Sequence, residues 1–419
     1  MKRFFFFLLC CGVTHFAAAQ QTNVVVKSFF EQMGKGNWNN AMQYMAPVLK
    51  EKVNAAVLRA LWQQIEQANG KWETLISQKT VREGSHYIVT AENNFERTAL
   101  IFRVALDSAD RMVGFFITGS KPRQVVQNAN ETTDTVNTVD GSILYGTLTQ
   151  PEGQQHGPVV LIIAGSGPTD RNGNSLFLPA AESFSYEQLA QGLAANGIAS
   201  FRYDKRGTGQ STASAKPLAL LTIDDYISDA VACIDHLQRN NRFSSVSVIG
   251  HSEGGIIGLA LAQYSDLKCL IALSTPGEPI DKVLLEQLKP KVSDSLYQQA
   301  ISILNDLRQG KTPAKVPADL NTMFNTRNFN YWKSTFSVDP CVLLPAVRMP
   351  VLIVGGAADV QVSPGQVTML QDCRPGTNLV LIEGMTHALK NSNGISPDKK
   401  TPLPLSPELV PALVSFLRQ

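Results

Sequence analysis

Between residues 22 and 65, apolar residues recur every three to four positions. Val26, Phe29, Phe30 and Met33 make one stripe, and Val53, Val57, Leu58, Leu61, Trp62 and Ile65 make another, so two amphipathic helices are predicted. The pattern then becomes extended. Residues 72–77, 87–91, 99–106 and 112–118 read as strands, the last two flanking Asp107-Ser108-Ala109-Asp110, a turn-forming set that pairs them as a hairpin. Helices followed by antiparallel strands predict a small α+β domain over residues 20–120. Residues 121–135 are polar and aperiodic, and the segment 121–137 reads as a linker.

From residue 138 the pattern changes again. Short, nearly continuous apolar runs at 159–164, 198–203, 246–250, 269–273, 351–355 and 379–382 suit strands buried on both faces of a parallel sheet. Helical stretches at 186–196, 223–238 and 255–264, and one from Glu408 onward, alternate with them. Such alternation predicts a doubly wound α/β domain over 138–419. Residues 276–347 interrupt it with Leu284, Leu285, Leu288, Leu296, Ile301 and Leu304, read as helices inserted to form a cap.

The N-terminus changes the picture of where the chain works. Lys2 and Arg3 precede an apolar stretch at residues 4–12, which is too short to span a bilayer, and Ala17-Ala18-Ala19 follows. Basic start, apolar middle and small-residue end predict a signal peptide over residues 1–19, and so a periplasmic or extracellular protein. Leu9 before Cys10 is not the small residue a lipoprotein signal requires. Losing Lys2 and Arg3 takes the formal charge from +2 to 0, so bulk charge points to neither nucleic acid nor an anionic membrane. After that cleavage no apolar run remains long enough to span a membrane. Oligomeric state leaves no trace in the sequence. Four cysteines remain: Cys233 and Cys269 sit in apolar runs as small core residues, while Cys341 and Cys373 are left open as a pair or as free thiols. No Cys/His spacing resembles a zinc site.

The chemistry concentrates in Gly250-His251-Ser252-Glu253-Gly254-Gly255, set between an apolar strand and a predicted helix. A strand entering a helix through so tight a turn needs very small residues two before and two after the central serine, and the strain exposes that serine as a nucleophile. A hydroxyl needs a base, and the base an orienting acid. Only His387 follows Ser252, and Asp359 lies just past a predicted strand, giving the order Ser, Asp, His at strand ends. Asp339, Asp235 and Asp204 are weaker acids by position, and His251 reads as a packing residue. Two backbone donors are expected for the oxyanion, the N–H of Glu253 and that of Ser166 in Gly165-Ser166-Gly167-Pro168.

Four stretches carry a family resemblance: Gly165–Arg171 (Gly-Ser-Gly-Pro-Thr-Asp-Arg), residues 201–211 around Asp204-Lys205-Arg206-Gly207, the Ser252 turn, and residues 332–340. With Pro350-Val351-Leu352-Ile353 and Asp359-Val360-Gln361-Val362, they resemble bacterial α/β-hydrolase esterases of the serine-aminopeptidase-like group over residues 138–419. The resemblance implies cleavage of a small-molecule carboxylic ester through an acyl-enzyme, with no metal or organic cofactor. Ala164 stands where many relatives carry histidine. The 204–207 turn is expected to be structural, its charges pairing near Asp170 and Arg171. Residues 20–120 are similar to a small cone-shaped domain of unknown function that precedes some bacterial hydrolases. The aromatic content of the cap suggests short acyl chains. An exopeptidase or amidase on the same triad, or an envelope binding protein without chemistry, are the competing readings.

Overall fold

The computed structural model describes residues 9–95, 98–121, 128–154, 156–175, 183–212, 214–394 and 402–419. Two compact units divide the chain, Met1–Val126 and Gln127–Gln419. Residues 1–8 of the expected signal peptide lie outside the described residues, and from Leu9 the backbone is helical without interruption to Gly34.

The smaller unit contains α1 (Leu9–Gly34), α2 (Trp38–Met42), α3 (Pro47–Lys50) and α4 (Ala55–Asn69), then β1 (Trp72–Glu83), β2 (His86–Phe95), β3 (Ala99–Leu106) and β4 (Met112–Lys121). Helix α4 starts because the Asn54 side chain accepts from the N–H groups of Ala56 and Val57, both at 3.0 Å, and ends at Gly70. Its buried Leu58, Trp62 and Ile65 face Phe30, Phe95 and Phe102, with the Phe30 and Phe102 rings 4.9 Å apart. The four strands form one antiparallel meander in chain order. Two more helices precede the sheet than the sequence predicts; α2 and α3 are only 5 and 4 residues long, too short to leave a periodic signature.

The larger unit runs β5 (Glu131–Asn137), β6 (Ile143–Thr149), β7 (Gly157–Ile163), α5 (Ser185–Ala194), β8 (Ala199–Tyr203), α6 (Ile223–Gln238), β9 (Phe243–His251), α7 (Glu253–Leu261) and β10 (Leu270–Leu273). Then follow α8 (Ile280–Leu288), α9 (Asp294–Arg308), α10 (Phe329–Thr335), α11 (Pro340–Leu343), β11 (Val351–Gly356), α12 (Pro364–Asp372), β12 (Asn378–Ile382) and α13 (Leu409–Leu417). Sheet order is β12-β11-β10-β9-β7-β8-β6-β5. The pairs from β12 through β8 are parallel, and β6 and β5 close one edge antiparallel. One face is covered by α6, α7 and α12, the other by α5 and α13. This is the doubly wound α/β domain that the alternating pattern predicts, in the α/β-hydrolase form that the family resemblance implies. Cys233 and Cys269 lie buried in these two cores. Between β10 and β11, helices α8 to α10 bury their own apolar cluster, including Leu304, Phe324, Phe329, Trp332 and Phe336.

The linker expected at 121–137 is corrected at both ends. Lys121 closes β4, and Glu131–Asn137 is an edge strand paired along its whole length with β6. The strand leaves no apolar run in the sequence because an edge strand needs few apolar residues, and here only Glu131 and Val136 are buried. Glu131 instead ties it to the sheet: its carboxylate meets Arg202 of β8 at 2.9 Å and accepts from Gln191 at 2.8 Å and Thr149 at 3.1 Å. Burial pushes this carboxyl up, but Arg202 and the hydrogen bonds prevail and its pKa is lowered. Glu131→Ala, which leaves the Arg202 guanidinium buried without its counter-charge, should destabilise the larger unit by about 3–5 kcal/mol. Thermal or denaturant unfolding of the full chain reads this, and a transition of that unit unmoved from wild type contradicts it.

Candidate active site

Because β7 and β9 to β12 run parallel, the loops at their C-terminal ends gather on one edge of the sheet. Ser252 sits there, between β9 and α7, at φ 56° and ψ −121°, a left-handed conformation that costs a non-glycine residue about 1–3 kcal/mol. The surroundings enforce it. A Cβ on Gly250 would lie 2.2 Å from the carbonyl oxygen of Gly254, and one on Gly254 would lie 2.2 Å from that of Ile163. The Ser252 N–H donates to the Leu273 carbonyl at 2.8 Å, fastening the turn to β10.

Asp359 and His387 come from the loops after β11 and β12. The Asp359 Oδ1 accepts from the N–H groups of Gln361 at 2.8 Å and Val362 at 2.9 Å, and its Oδ2 meets His387 Nδ1 at 2.8 Å. Burial raises the Asp359 pKa, but the hydrogen bonds from His387 and these amides outweigh it and the net shift is downward. An ionised carboxylate only accepts, so His387 Nδ1 carries the hydrogen, and a neutral imidazole then presents Nε2 as a base. The other acids are engaged elsewhere: Asp339 caps α11 through the Cys341 N–H, Asp235 pairs with Arg239 at the surface, and Asp204 accepts from the N–H groups of Arg171 and Gln210.

The loop after β7 closes on the serine. A Cβ on Gly165 would lie 3.2 Å from the Ser252 Cβ. The Gly165 N–H is committed to the Tyr186 hydroxyl at 3.1 Å, and Ser166 follows, exposed. Glu253 is the first residue of α7, where backbone N–H groups lack intrahelical acceptors and the helix dipole favours negative charge.

His251 does more than pack. Its Nε2 meets the backbone carbonyl of His387 at 3.0 Å and its Nδ1 meets the Tyr186 hydroxyl at 2.7 Å. Burial, with His387 second, lowers its pKa to about 3, so the ring is neutral. A carbonyl only accepts, which places the hydrogen on Nε2 and makes Nδ1 the acceptor from Tyr186. A directional chain thus runs from Gly165 N–H through Tyr186 and His251 to the backbone of His387, joining three loops of the site. Nothing in the sequence signals it, since Tyr186 lies 65 residues before His251. The 204–207 turn is also corrected. Asp204 faces Arg171 as expected, but Arg206 pairs with Asp229 at 2.6 Å and with Asp140. Lys205 turns inward to the Gly165 carbonyl at 2.5 Å and to Glu253 at 3.4 Å.

Comparison with known proteins places the chain among hydrolases. The chain is similar to the esterase EstD of Thermotoga maritima, at 23% identity over 404 residues that cover 94% of this chain and 92% of that one. Among solved structures, Est1E from Butyrivibrio proteoclasticus has 19% identity and a TM-score of 0.45, covering 68% of this chain and 97% of its own. The esterase EaEST from Exiguobacterium antarcticum has 18% identity and a TM-score of 0.44, with 69% and 100% covered. Residues 26–115 match a family described as protein of unknown function, DUF3887. Residues 180–393, just over half of the chain, match the family described as serine aminopeptidase, S33. The protein belongs to that serine hydrolase family.

Proposed function

We propose that the protein is an exported serine hydrolase that cleaves short-chain carboxylic esters, with Ser252 as nucleophile, His387 as base and Asp359 as its orienting acid. The observation that carries this reading is the 2.8 Å bond between His387 Nδ1 and Asp359 on the sheet edge that also holds the strained Ser252. His387 Nε2 takes the hydroxyl proton as the Ser252 oxygen bonds to the ester carbonyl carbon. The N–H groups of Ser166 and Glu253 receive the negative charge on the carbonyl oxygen. Collapse of the tetrahedral adduct breaks the bond to the alcohol oxygen, which takes the proton from His387. Water then repeats the sequence on the acyl-enzyme, releasing the acid and restoring Ser252. Ser252→Ala or His387→Ala should lower kcat by about 10⁶-fold, and Asp359→Asn on the order of 10⁴-fold. Steady-state turnover of an activated ester by the purified variants measures this, and near-wild-type turnover in any of them rejects the assignment.

Esters are favoured over peptides by the state of Glu253. An aminopeptidase needs an anion for the substrate's ammonium, and Glu253, beside the nucleophile, is fully buried and already held by Lys205 and Tyr331. A binding protein without chemistry would have no use for the strain at Ser252. Chain-length preference follows from the cap, whose Phe324, Phe329, Trp332 and Phe336 pack on one another while Tyr331 reaches down to Glu253. A roof of that kind supports a short acyl site. Each methylene should raise kcat/KM roughly fourfold until the site is full. Activity on p-nitrophenyl esters should therefore climb from acetyl to butanoyl or hexanoyl and then fall. A maximum at long chains, or faster cleavage of aminoacyl anilides than of any ester, contradicts this.

Export rests on the pattern of residues 1–19 and on Cys341 and Cys373, which are joined as a disulfide with their Cα atoms 5.3 Å apart. Such bonds persist in oxidising compartments. Mass spectrometry of the protein from its native host should find cleavage near Ala19, which would leave Gln20 at the head of the remaining turns of α1. Recovery of the intact Met1–Ala19 segment on a cytosolic form counts against export.

A further inference from the structure

Acyl transfer by Ser252 makes no direct use of a cluster of polar side chains gathered around Glu253, the residue that follows it. Lys205 and Glu253 are only 3% and 0% exposed, so each charge needs partners to remain inside the fold. The Lys205 ammonium donates to the carbonyl oxygen of Gly165 at 2.5 Å and sits 3.4 Å from Glu253 Oε1. The Tyr331 hydroxyl, from the cap helix α10, donates to Glu253 Oε2. The Tyr226 ring lies 5.5 Å from the ammonium and meets the Tyr331 ring edge-on. Burial raises the Glu253 pKa, and Lys205 opposes that rise.

What matters is where the two ends of this cluster lead. The carbonyl of Gly165 and the N–H of Ser166 belong to one peptide unit, which is planar and trans, so they point in opposite directions. Fixing the oxygen therefore fixes the line along which the N–H points. A cation on the oxygen also polarises the amide and makes its N–H a better donor. At the other end, the carboxylate that Lys205 holds belongs to Glu253, whose own backbone N–H is the second oxyanion donor. We propose that Lys205 is a positioning residue of the oxyanion hole, aiming the Ser166 N–H by gripping the far end of its peptide and tying it to Glu253. This rests on the assignment of Ser252, Ser166 and Glu253 given above.

The test uses the full-length protein and its Lys205→Met variant, assayed with p-nitrophenyl butanoate, with an alkylboronic acid as a tetrahedral anion and with a fluorophosphonate label. If Lys205 aims the donor, kcat should fall on the order of 10–100-fold with KM within about threefold, because the interaction it supports strengthens only in the transition state. Boronate affinity should weaken by a comparable factor, and Ser252 should still accept the label, more slowly. The single variant leaves Glu253 buried without its counter-ion. Should it fail to fold, Lys205→Met/Glu253→Gln, which removes both charges with little change of shape, must show the same loss of kcat. A folded variant with wild-type kcat and boronate affinity, or one in which only KM rises, overturns the proposal. Failure of the underlying reading looks different: wild-type protein would then take no label at Ser252, or Ser252→Ala would keep its turnover.

Discussion

The turn at Ser252 leaves no room for a side chain two residues to either side, and the rest of the site is arranged around that exclusion. The space a Cβ on Gly254 would fill is occupied by the carbonyls of Ile163 and Ala164, the last residues before the Gly165 loop. The close approach of α7 to the end of β7 therefore brings Gly165 against Ser252. The same turn starts α7 at Glu253, so the helix's first amides open beside the serine hydroxyl. A steric constraint on two glycines thus sets the proposed nucleophile, one proposed backbone donor and the loop proposed to supply the second.

Backbone geometry alone would leave these loops free to adjust, and buried polar side chains remove that freedom. Buried ion pairs add little net stability, since desolvation cancels much of the attraction, but a buried charge tolerates few arrangements of its partners. Lys205 with Glu253, and His251 with Tyr186, each reach a loop after β7 or β12 from elsewhere in the sheet. His251, held neutral by burial, has its two ring nitrogens assigned opposite roles by a hydroxyl and a carbonyl. Once assigned, the ring fits only one placement of the His387 backbone.

What the sequence discloses follows from how local each constraint is. The Ser252 turn was legible because its requirement falls on residues two positions away, in a stretch flanked by a buried strand and an apolar helix. The parallel strands were legible because burial on both faces leaves continuous apolar runs such as Val159–Ile163, which close the larger core. Asp359 and His387 could be paired by chain order, since His387 is the only histidine after the serine. The edge strand Glu131–Asn137 was not legible, because it pairs on one side only, buries little apolar surface, and its anchor to the core is an ion pair with Arg202, 71 residues away. Lys205, expected to pair near Asp170 and Arg171 with the rest of its turn, was misplaced for a similar reason: its partners are Gly165 and Glu253, 40 and 48 residues distant. Charged residues reveal their partners only after folding, whereas glycine and apolar patterns state their requirement in place.

Three of the cap's attachments to this framework bear on the site. At its entry, Gln366 of α12 accepts from the N–H groups of Gly277 and Glu278 at 3.2 and 3.3 Å and donates to the carboxylates of Glu278 and Glu286 at 3.0 and 2.9 Å. At its exit, the disulfide joins Cys341 of α11 to Cys373 at the end of α12. Between them, Tyr331 meets Glu253. Two of the three anchors rest on α12, the helix that follows the Asp359 loop, and the third rests on the residue after Ser252. A cap swinging away as a rigid lid would break a hydrogen-bonded cluster at one end and strain a covalent link at the other. Its displacement would be felt at once by the loops holding Asp359 and Glu253. The cap and the loops that carry the proposed catalytic groups therefore share one reference frame, set by the fold itself.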